Sequence, residues 1–281
     1  GQRFLTNAPT TQYANIEDYG TLPFLTTPIG QNVAYTTLED FKVRMYDSDG
    51  VLIGSVITIE NKDIDGGFDV WNAHINRQMM FLGCFPANLR NWSSDFNAAI
   101  PTLSYYVISA HNSTGQTISD RITININCPN QKGFESVRLT WLNQWGGWDY
   151  YTFKMKSSKT ISTKGSTYQQ LAGSWNEKSY RLDSFKGGKK SFRVNATEKI
   201  TMNTDFVSET ESEWFEELIN SPEVYILEGF KEDATDSALN QYVIPVRLTT
   251  SNYTKKTVAN DKLMQYTFEV EKSKTLRTQA V

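Results

Sequence analysis

The feature that most restricts this chain is a two-residue alternation of apolar and polar side chains, broken repeatedly by turn chemistry. Phe41-Lys42-Val43-Arg44-Met45-Tyr46 alternates, Asp47-Ser48-Asp49-Gly50 offers a reversal, and alternation resumes through Val51, Ile53, Ser55, Ile57 and Ile59. A period of two puts alternate side chains on one face of a strand, and Asp and Gly tolerate turn backbone angles, so residues 41–60 read as a β-hairpin. Tyr105 to Ala110 and Ile118 to Ile126 read as two more strands around Asn112-Ser113-Thr114-Gly115. Asp63-Ile64-Asp65-Gly66-Gly67 marks a loop, and Pro86 and Pro101 fence a less regular stretch. With no convincing helix, this pattern predicts a β-sandwich-like domain over residues 1–130. Its N-terminal segment reads as irregular or extended through residue 40, because Pro9, Gly20, Pro23, Pro28 and Gly30 interrupt any helical period, although Tyr35 to Leu38 offers a strand start.

At 281 residues the chain exceeds the usual single-domain size of roughly 100–200, so a second domain is expected. The polar stretch Asn127-Cys128-Pro129-Asn130-Gln131-Lys132-Gly133 is the best boundary. Beyond it, Val137 to Leu142 and Tyr150 to Met155 flank a Trp145-Gly146-Gly147-Trp148 reversal, a second hairpin. Ser191 to Met202 alternates again through Phe192, Val194 and Ala196. One helix is predicted near 209–219. Ser208 or Thr210 can cap it with Glu211 or Glu213 three residues on, and Trp214, Phe215, Leu218 and Ile219 form one apolar stripe before Pro222 stops it. Strands follow at 223–228, 242–250 and 263–271, and Pro245, which lacks a ladder donor, predicts an edge or a bulge. The tail from 272 to 281 is polar and expected to leave the body. The expected class is therefore mainly β: an N-terminal sandwich-like domain, then a mixed β domain over 131–281 with one short α-helix.

Composition narrows the functional classes. An aromatic share of 13% argues for packed cores and not disorder. No run approaches the ~20 apolar residues of a membrane-spanning helix. Gly1 to Asn7 show no basic segment followed by an apolar run, so no secretory signal is read there. Cys84 and Cys128 are too few for a disulfide scaffold and fit a reducing cytoplasm, with a single bridge between them left open. His74 and His111 stand in no catalytic motif, and neither a nucleophile elbow nor a phosphate-binding glycine loop is present. Asp47-Ser48-Asp49-Gly50 resembles the opening of a calcium loop, but the twelfth place is Thr58, which cannot supply the bidentate carboxylate, so an ordinary turn is expected. Four Asn-x-Ser/Thr sequons, at Asn91, Asn112, Asn195 and Asn252, read as chance matches in a Ser/Thr/Asn-rich chain. No enzyme, metal or cofactor is expected, although the abundance of carboxylates leaves a glycosidase pair open.

Charge is segregated. From Thr152 to Val194 ten Lys and Arg face two acids, a balance of +8; from Glu198 to Asp236 two lysines face twelve acids, a balance of −10. Three readings compete: a solvated face, the commonest outcome; steering between subunits; or nucleic acid, which the net charge of −3 disfavours.

The segment Arg138-Leu139-Thr140-Trp141-Leu142-Asn143-Gln144-Trp145-Gly146-Gly147-Trp148-Asp149-Tyr150-Tyr151-Thr152-Phe153 resembles a hairpin of tailed-bacteriophage virion proteins, where a Lys/Ser-rich strand and a Tyr such as Tyr168 follow. Ser221 to Ile226, Ile244-Pro245-Val246 and Asn260 to Val270 extend the likeness, which covers about half the chain. It is similar to the distal-tail and baseplate class of structural proteins. The resemblance implies a tail, neck or baseplate component of the virion, assembled in the host cytoplasm as a homo-oligomeric ring with other virion proteins. The rival reading is a carbohydrate-binding, adhesive module contacting host-surface glycans through exposed aromatics. Interface candidates are Trp145 and Trp148 beside the Gly-Gly turn, Lys189 and Lys190 in the basic block, and Glu216 and Glu217 in the acidic one. Trp141, in the strand body, is expected in the core.

Overall fold

The computed structural model describes residues 4–25, 38–60, 79–127, 133–174, 181–182, 186–228, 242–250, 252–254 and 264–274. The protein is mainly β. In the first half a sheet runs, in spatial order, β1 (Thr11–Ala14), β7 (Ile122–Ile126), β6 (Tyr105–His111), β3 (Asp40–Tyr46) and β4 (Leu52–Glu60). All neighbours are antiparallel except the parallel β1–β7 pair. The expected hairpin at 41–60 forms. Asp47 Oδ1 accepts from the backbone N–H groups of Asp49 (3.0 Å) and Val51 (2.8 Å), and Gly50 takes a positive φ of 77°. Its alternation does not survive intact: the register slips between Val43 and Met45, Gly54 adopts φ 62°, and Val51 and Ser55 face solvent while Ile57 and Ile59 stay buried.

The second layer of this half is not a sheet of the same kind. It is the ribbon β2 (Thr21–Leu25) with β5 (Met79–Gly83), followed by α1 (Pro86–Trp92) and α2 (Ser94–Ala99). Leu22, Phe24, Met80 and Leu82 point from the ribbon into the core shared with Phe41, Val43 and Met45, and the Phe24 ring meets Phe41 edge-on at 5.1 Å. The two helices correct the expectation of an irregular stretch between Pro86 and Pro101. Pro86 sits in the first turn of α1, where its missing N–H costs nothing, and the Ser93 side chain caps α2 by accepting from Phe96 N.

The second half is built on a seven-stranded sheet. Its order is β10 (Ser157–Gln170), β13 (Gly188–Asn203), β16 (Thr267–Lys272), β15 (Val243–Leu248), β14 (Val224–Leu227), β8 (Val137–Leu142) and β9 (Trp148–Phe153). Across one face lies α3 (Glu209–Asn220), opened by a complete capping box in which Ser208 and Glu211 satisfy each other's backbone N–H. Trp214, Phe215 and Leu218 are buried against Trp141, Phe153, Met202 and Phe268, with the Trp141 and Trp214 rings 4.9 Å apart. Burial of each such side chain contributes about 1.5–3 kcal/mol, so this face holds the helix on the sheet. Pro245 is neither at an edge nor at a bulge: β15 lies between β16 and β14. It is tolerated because its carbonyl accepts from Ser273 N at 3.0 Å on the β16 side, where the ladder is ending, so only one bond of one pair is lost.

Between the halves runs a polar seam. The guanidinium of Arg138, on β8, donates to Asp18 Oδ2 (3.1 Å), to Thr152 (2.8 Å) and to the carbonyl of Tyr19 (3.0 Å). It lies 5.0 Å from the centre of the Phe85 ring and 5.2 Å from that of Tyr150, and both charged side chains are below 10% exposed (6% and 9%). Beside it the N-terminal segment is strapped across the junction. Thr6 donates to Asp149 Oδ1, the Leu5 carbonyl accepts from Asn143, Asn7 donates to Glu217, and Ala8 enters the second core. The expected boundary at 127–133 falls largely outside the described residues, as do the loop at 63–67, the strand start at 35–38, His74, Cys128 and most of the tail.

Candidate assembly surface

Strands β10 and β13 are the longest in the molecule, 14 and 16 residues, and most of their length leaves the body. Thr160, Ile161, Thr163, Thr167 and Tyr168 on one side and Phe192, Val194, Thr197 and Ile200 on the other are β-branched or aromatic, which suits a strand. β13 pairs with β16 only over Lys199–Asn203. Among the described residues, it has β10 as its one neighbour outward from Glu198, and no strand pairs with the other edge of β10. From Ile161 to Gln170 is 9 residue steps, so this two-stranded arm reaches ~30 Å at ~3.3 Å per residue. Beyond it, β11 (Gly173–Ser174) and β12 (Arg181–Leu182) continue the hairpin.

Base and outer arm differ. At the base, charges are matched within the chain: Lys159 with Glu135 (2.9 Å), Lys199 with Glu269 (2.9 Å) and Lys272 with Glu198 (3.2 Å). Farther out, both faces are exposed and carry Ile161, Tyr168, Phe192 and Val194, Phe192 being 77% exposed. Residues directly opposed across an antiparallel pair share a face. Val194 opposite Gly165 and Ile161 opposite Glu198 therefore continue the side on which Ile200 and Met202 enter the core. Lys164 with Asn195, Ser166 with Arg193, and Tyr168 with Lys190 occupy the reverse face. There the register slips by one residue, leaving Phe192 extra, with its ring centre 6.5 Å from that of Tyr168.

The interface candidates fall in three places. Trp145 stands 51% exposed on a rigid turn, in which Asn143 Oδ1 accepts from Trp145 N and Gly147 N and Gly146 holds φ 80°. Gly147 lies so close to Pro23 that a Cβ there would come within 2.5 Å of its ring. Trp148 is half-buried, edge-on to Tyr225, and Trp141 is fully buried as expected. Lys189 and Lys190 are exposed at the outer end of the arm. Glu216 faces solvent on α3, whereas Glu217 turns inward to Asn7, and burial raises its carboxyl above the usual range. The lysine and glutamate pairs thus stand on separate elements.

The buried carboxyl of Asp149 carries no sequence motif for such a role. It accepts from Trp214 Nε1 (2.7 Å), Thr6 (2.7 Å) and Asn143 (3.1 Å). Burial pushes its carboxyl up to about 6 even though those three donors favour the charged form. His111 is a core residue between Ser109 and the Gly115 carbonyl, and Cys84 is a buried free thiol. Among the described residues no group of three or more His, Cys, Asp or Glu is placed to hold a metal ion, and no helix is long and apolar enough to cross a membrane. No protein-family model, curated protein or solved structure matches the chain.

Proposed function

We propose that this chain is a structural component of a tailed-bacteriophage virion, built into the tail, neck or baseplate through contacts with copies of itself and with other virion proteins. The observation that carries the reading is the arm. An isolated two-stranded ribbon is marginal in water, and one that also shows Phe192, Ile161, Tyr168 and Val194 to solvent gains its stability where another surface covers it. The virion assignment rests on the ordered likeness spanning residues 138–153, 221–226, 244–246 and 260–270. In this reading the chain has no catalytic role, and it works in the virion after assembly in the host cytoplasm.

The test is to shorten the arm. Replacing residues 162–197 by Asn-Gly makes Ile161 and Glu198 the last pair of a two-residue hairpin and leaves the body's sheet intact. Native mass spectrometry should find oligomers for the intact chain and monomers for the shortened one, at equal thermal stability within a few degrees. Equal association of both chains rejects the reading. A second reading, glycan adhesion, is favoured by the exposed Trp145 on its braced turn. Glycan-array binding lost in Trp145→Ala would support it.

A further inference from the structure

Resting on the assembly reading, we infer that the outer arm of one copy docks on the acidic stripe of α3 in a second copy, head to tail. The two surfaces match in charge, length and apolar content. On the reverse face of the arm, Lys164, Arg193 and Lys190 recur at consecutive same-face positions, with no acid in the described part of either strand beyond Glu198. Lys164 and the partner position of Lys190, Tyr168, are four residues apart, a span of ~13 Å. On α3, Glu209, Glu213 and Glu216 are exposed at spacings of four and three, hence one stripe, ~10 Å long. Each surface also carries an apolar anchor: Phe192 and Tyr168 on the arm, and Phe206, 56% exposed, just before the helix.

The proposed contact joins two copies. The inner face of α3 is buried on the body of the sheet, and the arm runs outward from that body as a continuous paired ribbon. The face carrying Lys164, Arg193 and Lys190 is the reverse of the one on which Ile200 and Met202 enter the core beneath α3, so it turns away from its own helix. Because donor and acceptor surfaces differ, the contact is heterologous, and repetition gives a ring or an open helix according to the rotation per copy. Exposed ion pairs contribute little each, so the charges set register and approach while the aromatics supply most of the buried area.

Two charge-reversed variants test the pairing: Lys190→Glu with Arg193→Glu, and Glu213→Lys with Glu216→Lys. Each is checked for fold by circular dichroism and for association by sedimentation velocity. Each variant alone should self-associate at least about tenfold more weakly than the natural chain. An equimolar mixture should recover association, since every arm then meets a helix of opposite sign. The association should also weaken between 0.05 and 0.5 M salt, a range chosen because the screening length shortens severalfold across it. Loss in the arm variant with full association of the helix variant would place the arm elsewhere, overturning this inference and leaving the assembly reading intact. Failure of the mixture to recover would overturn it in the same way. A natural chain that stays monomeric overturns both. Binding of single- or double-stranded DNA that is lost in the arm variant, without self-association, would assign the arm to nucleic acid and overturn both.

Discussion

Asp149 shows how one residue can be a stabilising partner and a stored cost together. It collects three hydrogen bonds that tie the N-terminal strap, the Trp turn and α3 to one point, yet its carboxyl is pushed up to about 6 from an ordinary 3.8. Where the folded state holds a proton that the unfolded state has lost, folding stability falls as pH rises. From this group, stability is fullest below pH about 4 and declines until about 6, by up to about 3 kcal/mol. Asp149→Asn removes that titration and also turns an acceptor toward a donor. The variant should therefore be less stable than the natural chain at pH 4, by a gap that narrows steadily to pH 6 in urea unfolding. A gap independent of pH would show that Asp149 stays ionised throughout. At this scale the sequence was partly legible. Trp141 is in the core and Trp145 is exposed, because a strand body and a Gly-flanked turn have opposite solvation. The inward turn of Glu217 and the burial of Asp149 were not legible, since both depend on partners such as Asn7 and Thr6, more than 100 residues away.

Elements were legible to the extent that each one's own periodicity matched its burial. α3 announced itself through a capping box and an apolar stripe, and it spans Glu209–Asn220 as the spacing predicts. Ser208→Ala should cost about 1 kcal/mol, read as a lower urea midpoint at unchanged slope, because the Glu211 N–H loses its acceptor. By its own periodicity the arm was legible only on one side, from Ser191 to Met202; the Lys/Ser-rich strand opposite it was expected only through the resemblance. A strand exposed on both faces has no reason to alternate, and β10 spells Ser-Ser-Lys-Thr-Ile-Ser-Thr-Lys-Gly, a composition that also suits a loop. α1 and α2 were hidden differently. Both are short, six or seven residues, and held by Leu89 and Phe96 reaching a core assembled from distant strands. Pro245 misled because a missing donor matters only on the side where a bond is due.

In the whole molecule the two halves meet through the ion pair of Asp18 and Arg138 and the contacts of the N-terminal strap, and not through a merged apolar core. Among the described residues each half keeps its own hydrophobic cluster, with Tyr150 packing against the first and Ala8 entering the second. Removing one member of a buried pair leaves the other charge without compensation, at ~3–5 kcal/mol. Asp18→Ala should therefore destabilise by about that much in urea. Circular dichroism, which sees both halves, should then separate from tryptophan fluorescence, which is weighted to the second half by five of the chain's seven tryptophans. Coincident curves at an unchanged midpoint would show that the seam contributes little.

The strap also dictates an order of events during synthesis. Residues 5–8 are made before the groups that receive them, Asn143, Asp149 and Glu217, which follow 138 to 210 positions later. The strap must therefore wait, undocked, until those positions have been translated, and its closure comes late in folding. Contacts so distant along the chain form slowly. A partner that holds the strap would trap a nearly finished molecule whose two halves have folded but are not yet latched.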